Sequence, residues 1–366
     1  MNHYCTYFDR GFLLQGLALW RSMARHDPDA VLWVLALDEF TADVLRETGG
    51  TWMHVVTLAE VEAGDAELAA AKRNRTRVEY YFTLSPCWPR WLLARHPEIA
   101  RVTYVDADMF FFADPEPIFA AMDAASASVL ATEHRFPPWL RHYERHGKLN
   151  VGILSFRNDA PARRCLDDWR ERCLSWCHDR LEDGKYADQK YLDGWPALLG
   201  AALFVLDHPG VNFAPWNWAA HRCEWLRPQP APSTRSGAGR ALRIDGERLV
   251  VFHFARFRPI CGDWWWQSGQ LDYGVMPADL RRELYGAYWR ALVAARTEVA
   301  ARRPGFDFAS RAMRFDRGFW RALPLRVVFG SDWLRIGGTF VSGRPGLGRW
   351  SGRVLAALRR MGKGAT

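Results

Sequence analysis

Residues 101–108 read Arg-Val-Thr-Tyr-Val-Asp-Ala-Asp, a short apolar strand that ends on two carboxylates. Alternate side chains of an extended chain point the same way, so Asp106 and Asp108 are expected to converge. Two convergent carboxylates offer the oxygen ligands that a hard divalent cation prefers. An Asp-x-Asp pair also occurs by chance in solvated turns and helix caps. The strand before the pair and the apolar run 109–112 after it favour a metal site.

The segments around this strand alternate between strand-like and helical patterns. The strand-like runs are residues 3–8, 31–37, 52–58, 101–105 and 128–132. Residues 12–25 and 78–95 have helical periodicity, although Pro86 and Pro89 are expected to break or kink the second helix. This order predicts an α/β fold with a mainly parallel, Rossmann-like sheet and helices on both faces. Ligands of such sheets bind beyond the carboxyl ends of the strands, which is where the acid pair lies.

Charge is distributed unevenly along the 366 residues, whose net charge is +8. Residues 281–366 contain 18 Lys and Arg against 5 Asp and Glu, whereas residues 1–280 contain 31 against 36. We therefore predict a catalytic domain over residues 1–275 and a basic, mostly helical carboxyl-terminal extension over 276–366. Three interpretations of the extension stay open: contact with anionic lipid, contact with a protein partner, or a simply solvated basic segment. No motif for nucleic-acid binding accompanies it.

The spacing of the cysteines and the length of the apolar runs indicate the cellular compartment of the protein. Seven cysteines without a framework spacing indicate reduced thiols, and Cys165, Cys173 and Cys177 share one helix face with Trp169 as a buried stripe. Met1 leads almost directly into a strand-like run, and no apolar stretch has the length of a membrane span. The sequence predicts a cytoplasmic protein, with peripheral contact to the inner membrane through the basic tail as a further expectation.

Five short motifs follow one another in a set order. They are Thr6-Tyr7-Phe8-Asp9, Lys72-Arg73-Asn74-Arg75, Tyr104-Val105-Asp106-Ala107-Asp108, Asn150-Val151-Gly152 and Asp188-Gln189. Together they resemble the motifs of GT-A fold glycosyltransferases, especially those similar to family 8, over roughly residues 3–260. This resemblance implies a GT-A fold and transfer of a sugar from a nucleotide diphosphate donor.

The resemblance also implies donor and metal ligands. Donor contacts would come from Tyr7, Asp9, Lys72, Asn74, Arg75 and Arg258. Asp106 and Asp108 would hold Mn²⁺ or Mg²⁺ together with His253, which without the resemblance is more simply a core histidine of an apolar strand. Arg258-Pro259 stands where the family has Lys-Pro, one residue closer to the histidine. An Arg can also bind phosphate, through a bidentate fork.

The acceptor side is predicted from the same comparison and from position. Asp188 and Gln189 would be the catalytic residues of a retaining enzyme, although Asp188 could equally cap the following helix. Glu133, His134 and Arg135 follow a strand and would bind acceptor or donor sugar, provide the base of an inverting enzyme, or form a surface turn. Asn150, Gly152 and Trp195 are further predicted sugar contacts.

These features predict a metal-dependent glycosyltransferase of hexosyltransferase type. Its donor would be a UDP-sugar, and its acceptor a glycan or lipid-linked saccharide of cell-envelope polysaccharide or lipopolysaccharide synthesis. Two alternatives stay open. A sugar nucleotidyltransferase shares the α/β sheet and a metal, but residues 6–11 lack the glycine-rich phosphate loop. A non-catalytic protein of the same fold would bind nucleotide or glycan without turnover.

Overall fold

The computed structural model describes residues 1–226, 241–261, 264–267, 273–274, 276–306, 333–336 and 339–341. Side chains are described over 1–226, 241–257, 273–274 and 276–306. The chain forms two compact units: Met1–Ala255 with Ala287–Phe306, and Arg256–Gly286 with Asp307–Thr366. Most of the extension predicted over 276–366 lies outside the described residues, and its boundary at residue 275 stays a prediction. None of the described helices combines the length and apolar composition needed to cross a bilayer.

Strands and helices alternate through the first unit. In order they are β1 (His3–Phe8), α1 (Leu13–His26), β2 (Val31–Ala36), α2 (Glu39–Thr48), β3 (Met53–Thr57), α3 (Leu58–Ala63), α4 (Ala66–Ala71), α5 (Arg77–Arg95), β4 (Arg101–Val105), β5 (Met109–Phe111), α6 (Glu116–Ala124), β6 (Val129–Glu133), β7 (Leu149–Arg157), α7 (Ala160–Ser175), α8 (Trp195–Leu199), β8 (Leu203–Leu206), β9 (Cys223–Trp225), β10 (Leu242–Ile244), β11 (Glu247–Arg248) and β12 (Val251–His253). Short 3-10 helices include Lys72–Asn74, Pro138–His146 and Gln189–Gly194.

The remaining elements are four strands and one long helix. The strands are β13 (Phe257–Cys261), β14 (Trp264–Gln267), β15 (Trp333–Ile336) and β16 (Thr339–Val341), which form one antiparallel sheet in that order. The helix is α9 (Ala278–Arg302). Because β15 and β16 also lie within residues 276–366, the mostly helical character of the extension stays a prediction.

The central sheet has seven strands in the order β3-β2-β1-β4-β7-β6-β8. Only β7 runs against its neighbours β4 and β6, and the other pairs are parallel. Every residue of β2 is buried, as expected for a strand covered on both faces. The predicted α/β class, a mainly parallel sheet flanked by helices, is confirmed.

One side of the sheet is covered by α5 and α7. Cys165, Cys173 and Trp169 of α7 are fully buried there beside Trp88, as predicted. Cys177 is buried too, but its predicted place on the same helix is wrong, because α7 ends at Ser175. Pro86 and Pro89 were expected to break or kink this helix, and the break is wrong, because α5 runs from Arg77 to Arg95. The kink stays a prediction. Both prolines are buried in the core, and a capping box between Thr76 and Glu79 begins the helix. Tertiary packing therefore offsets the lost backbone hydrogen bonds.

Candidate functional site

The two acids lie in the turn between β4 and β5, at the carboxyl edge of the sheet. The Asp106 amide donates to the Gly152 carbonyl of β7 at 3.0 Å, which ties the turn to the adjacent strand. The Tyr104 hydroxyl donates to Asp106 Oδ1 at 2.7 Å, and the Met109 amide donates to the Asp106 carbonyl at 3.1 Å. The carboxylate of Asp106 is thus held by its own strand before any ligand binds.

His253 reaches the acids through a small antiparallel sheet. Strand β12 pairs with β5 so that His253 lies opposite Met109, and the Phe254 amide donates to the Asp108 carbonyl at 2.9 Å. His253 Nε2 lies 3.1 Å from Asp108 Oδ1 and 3.6 Å from Asp106 Oδ2. One ligand atom from each of the three residues lies within 4.8 Å of the other two. The structure therefore brings the three predicted ligands together.

The three side chains form a ligand set that fits a divalent cation. Burial would lower the pKa of His253, but Asp108 and Asp106 outweigh it and raise that pKa. Burial raises the pKa of Asp106, and the His253 charge opposes this while the Asp108 charge adds to it. Two carboxylates and one imidazole are ligands that suit Mn²⁺ or Mg²⁺. Such an ion binds diphosphate oxygens and neutralises charge on a phosphate leaving group.

Gly152 lies against the candidate metal site and has no room for a side chain. A Cβ there would lie 2.6 Å from Asn150 Oδ1, 2.6 Å from Met109 Cε and 3.0 Å from His253 Cε1. We expect Gly152→Ala to weaken Mn²⁺ affinity about tenfold, because it displaces groups beside the ligands. Titration followed by electron paramagnetic resonance measures this. Gly194→Ala is the control, because nothing lies within 4 Å of its added Cβ; equal affinities in both variants would contradict the expectation.

Asp188 is buried beside the acid pair. It is 5% exposed, and burial together with the charge of Asp106 raises its pKa to about 7, although a hydrogen bond from Ser85 opposes the rise. The Tyr7 hydroxyl and Ser85 Oγ lie 2.8 Å apart, so Tyr7 continues this hydrogen-bonded chain. Asp188 lies at the N-cap position of the following 3-10 helix without a side-chain capping hydrogen bond, although the backbone amides of Asp188 and Gln189 act to lower the pKa of its carboxyl. Both the catalytic role and the capping role of Asp188 stay predictions. The preceding Ala187 has φ 46°, a left-handed conformation that residues other than glycine rarely adopt.

A buried network joins the predicted acceptor residues. Asn150 Nδ2 lies 3.0 Å from His134 Nε2 and 3.4 Å from Gln189 Oε1. Asn150 Oδ1 accepts from the Gly152 amide at 3.0 Å. Burial lowers the pKa of His134 to about 4. The imidazole is therefore neutral near pH 7, and Nε2 accepts from Asn150. The geometry positions Asn150 and Gln189 and makes His134 part of their support.

Two of the predicted sugar contacts have structural surroundings instead. Arg135 donates to the carbonyls of His208 and Val211, so its guanidinium holds the loop after β8. Trp195 is 1% exposed and packs edge-on against Phe156 and Trp169. The ring of Trp195 belongs to the core and offers no free face, so the predicted sugar contact gains no support from its burial. Glu133 pairs with Lys148 at 2.9 Å and borders a surface pocket.

The residues that were predicted to bind the sugar donor each contact other groups of the protein. Asp9 is buried and accepts from the Gly11 amide and the Tyr81 hydroxyl, both at 2.8 Å. Lys72 Nζ lies 2.5 Å from Glu62 Oε1 and faces the ring of Tyr80. Asn74 accepts from Arg75 Nη1 at 2.7 Å. The side chain of Arg258 lies outside the described residues, so its predicted diphosphate contact stays a prediction.

Arg75 stabilises the end of α7. Its Nη2 donates to the carbonyls of Cys173 and Leu174 at 2.6 and 2.8 Å. We expect Arg75→Ala to lower the free energy of unfolding by about 2 kcal/mol, because a charged donor to buried carbonyls is lost. Urea denaturation measures this, and Arg73→Ala, an exposed arginine of the same turn, is the control. Unchanged stability of Arg75→Ala would contradict a structural role for its guanidinium.

Several residues of the site were not predicted from sequence. Tyr104 donates a hydrogen bond to Asp106, and Ser85 donates one to Asp188. Asn212 Nδ2 donates to Asn150 Oδ1 at 3.0 Å. Trp216 packs edge-on against His253 with ring centroids 5.0 Å apart. Tyr104 lies within the motif that identified the acids, so alternation along β4 would have placed it beside them. No local signal marks Asn212 or Ser85.

The chain was compared with family models, with curated proteins and with solved structures. No family model matches it. The uncharacterized protein YfnD of Bacillus subtilis (strain 168) is 29% identical over 258 residues, covering 70% of this chain and 78% of YfnD. Among solved structures, galactosyltransferase LgtC with donor and acceptor sugar analogs has a TM-score of 0.44 at 16% identity, covering 69% of this chain and 87% of LgtC. Mouse xyloside xylosyltransferase 1 has a TM-score of 0.39 at 15% identity, and the match covers 58% of this chain and 87% of the mouse protein's chain.

A second Bacillus subtilis protein is more similar in sequence. The uncharacterized protein YfnF is 32% identical over 260 residues, which cover 70% of this chain and 81% of YfnF. The shared region therefore spans most of YfnF. On this similarity the chain belongs to the same family as YfnF.

Proposed function

We propose that the protein is a metal-dependent glycosyltransferase of GT-A type that uses a nucleotide diphosphate sugar. The observation that carries this proposal is the cluster of Asp106, Asp108 and His253 at the carboxyl edge of a mainly parallel sheet. A divalent cation held there offers the diphosphate of a donor its counter-charge. Asp188, Asn150 and Gln189 lie on the neighbouring elements, where a sugar attached to that diphosphate needs polar contacts.

Each polar residue near the metal cluster has its own role in the proposed reaction. Asp188 carries a carboxyl whose pKa of about 7 lets it hold or release a proton near neutral pH. Gln189 Nε2 donates to the His146 carbonyl at 3.2 Å, which orients its amide. Neutral His134 accepts a hydrogen bond from Asn150 and thereby directs the Asn150 amide. In the retaining reaction that we propose, Asp188 and Gln189 contact the reacting sugar.

The substrate and location are the finer part of the proposal. We propose UDP as the nucleotide, Mn²⁺ or Mg²⁺ as the cation, and a glycan or lipid-linked saccharide of the cell envelope as the acceptor. Reaction at the cytoplasmic face of the inner membrane would suit such an acceptor. The retained stereochemistry rests on the resemblance of Asp188-Gln189 to the family motif, and the hexosyl donor rests on the family resemblance as a whole.

Product analysis separates this function from its rivals. Incubation with UDP-hexoses, Mn²⁺ and a saccharide acceptor is expected to release UDP and to yield a longer glycan. Release of pyrophosphate from UTP and a sugar phosphate would instead identify a nucleotidyltransferase. Binding of UDP-sugar without either product would identify a non-catalytic protein. The anomeric configuration of the new bond, read by NMR, tests retention.

A further inference from the structure

Asn212 lies in the loop after β8 and is fully buried beside Asn150. Its Nδ2 donates to Asn150 Oδ1 and to Thr132 Oγ1, each at 3.0 Å. Its Oδ1 is buried and has no hydrogen-bond donor among the described residues. The side chain of Asn212 therefore acts as a donor, and one of its two hydrogen bonds goes to a residue of the proposed active site.

The backbone of Asn212 is held in an uncommon conformation. Its φ is 56°, in the left-handed region that asparagine enters more readily than most other residues. Its carbonyl accepts from Asn217 Nδ2 at 3.0 Å and from Arg135 Nη2 at 3.3 Å. These contacts maintain a backbone conformation that is locally unfavourable, a feature that clusters at functional sites.

The next residue joins this loop to the strand that carries a predicted metal ligand. The Phe213 amide donates to the Val251 carbonyl of β12 at 3.2 Å, and the Phe213 carbonyl accepts from the His253 amide at 2.8 Å. The loop is therefore anchored on the same strand as His253. From this anchor the side chain of Asn212 reaches Asn150 on β7.

Backbone groups fix the direction of each hydrogen bond beyond Asn212. Asn150 Oδ1 accepts from the Gly152 amide at 3.0 Å, and a backbone amide can only donate. The oxygen of Asn150 therefore faces Gly152 and Asn212, and its nitrogen lies 3.4 Å from Gln189 Oε1. Gln189 Nε2 in turn donates to the His146 carbonyl at 3.2 Å. Asn212 thus stabilises the one orientation of the Asn150 amide that donates to Gln189.

We propose that Asn212 is a positioning residue of the transferase, which orients the Asn150 amide and through it the amide of Gln189. This inference rests on the proposed transferase function, in which Gln189 contacts the reacting sugar. Asn212 is buried and acts only through Asn150. Its loss should therefore lower kcat and leave the binding of UDP and Mn²⁺ at the acid pair unchanged.

The first test compares two variants that each remove one hydrogen bond of the Asn212 amide. Asn212→Gly removes the donor to Asn150, and glycine adopts a left-handed φ without strain. We expect its kcat with a UDP-sugar to fall about tenfold, with donor KM and the Kd of UDP in Mn²⁺ unchanged. Thr132→Val is the matched control, because it removes the other hydrogen bond and leaves the contact with Asn150. It should retain the wild-type kcat.

A second variant separates the donated hydrogen bond from the volume of the side chain. In Asn212→Asp, burial raises the pKa of the new carboxyl, which is then protonated at pH 5 and can donate to Asn150 as the amide does. The ionised carboxyl at pH 8 has no hydrogen to donate. Relative to the wild type at the same pH, we expect kcat to be normal at pH 5 and about tenfold lower at pH 8.

A readout without turnover distinguishes this inference from the proposed function. In protein labelled with ¹⁵N at Asn and Gln alone, the side-chain amide signal of Gln189 should shift in Asn212→Gly and stay in place in Thr132→Val. An unmoved Gln189 signal, equal kcat in Asn212→Gly and Thr132→Val, or equal relative activity of Asn212→Asp at the two pH values would overturn the role of Asn212. If the wild type turns over no UDP-sugar, the proposed function fails, and the Gln189 signal still decides whether Asn212 orients these amides.

Discussion

Replacing Asp106 and Asp108 together by asparagine is expected to reduce metal-dependent UDP-sugar turnover by about a thousandfold or more. Asparagine keeps the volume of each side chain but removes both negative charges that face His253 Nε2. Without them the cation loses its anionic ligands, and the leaving diphosphate loses its counter-charge; the loss of one preorganised charge-stabilising group alone costs about 10²–10³ in rate. Turnover and Mn²⁺ affinity should fall together.

A nearby acid provides the matched control for this experiment. Asp114 is exposed and accepts only a local hydrogen bond from the Glu116 amide among its described contacts. Asp114→Asn should therefore retain wild-type turnover and Mn²⁺ affinity. If the double variant at Asp106 and Asp108 hydrolysed or transferred UDP-sugar at the wild-type rate, the metal site would be elsewhere.

Replacing Asp188 by asparagine is expected to cost activity and to increase stability at high pH. The pKa of Asp188 is raised from 3.8 to about 7, so the folded state binds more protons than the unfolded state between these values. Wild-type stability should therefore fall as pH rises through this window, with a full penalty of about 4 kcal/mol above it. Asparagine has no charge to bury, so the variant should lack this loss.

The expected measurement is a pair of unfolding experiments in EDTA at pH 5 and pH 8. The stability difference between Asp188→Asn and wild type should shift toward the variant by about 3 kcal/mol from the lower to the higher pH. Bound Mn²⁺ should reduce the shift, because a cation near Asp106 stabilises the Asp188 carboxylate. Turnover should fall about 10²-fold or more if the carboxyl contacts the reacting sugar. A pH-independent stability difference would contradict the buried, raised-pKa carboxyl.

Local patterns predicted much of the fold because burial imposes them. A strand covered on both faces must be apolar throughout, and β2 shows this in its sequence and in its burial. The reversed direction of β7 was not predicted. Its residues are buried on both faces like those of the parallel strands, and direction depends on the connection that leads into a strand. Likewise, Pro86 and Pro89 indicate a break that only the packing of α5 overrides.

The site was predicted where its chemistry is contiguous and missed where it depends on packing. Asp106 and Asp108 follow one strand, so their convergence can be read from two positions. His253 joins them through the pairing of β12 with β5, which no local pattern reveals. The prediction of His253 as a third ligand came from the family resemblance. Trp195 and Arg135 are residue types that often bind sugars. Their engagement with the core and with loop carbonyls is a tertiary property.

Donor binding measured by thermal shift tests the central claim most directly. The wild-type protein is heated with a panel of nucleotide sugars, each with and without Mn²⁺, beside the double variant at Asp106 and Asp108. Ligands that bind the folded state raise its stability by mass action. We predict that at least one UDP-sugar raises the melting temperature of the wild type only when Mn²⁺ is present, and that the double variant shows no such shift. Equal shifts with and without Mn²⁺, or an unchanged shift in the double variant, would contradict a nucleotide-sugar site built on these two carboxylates.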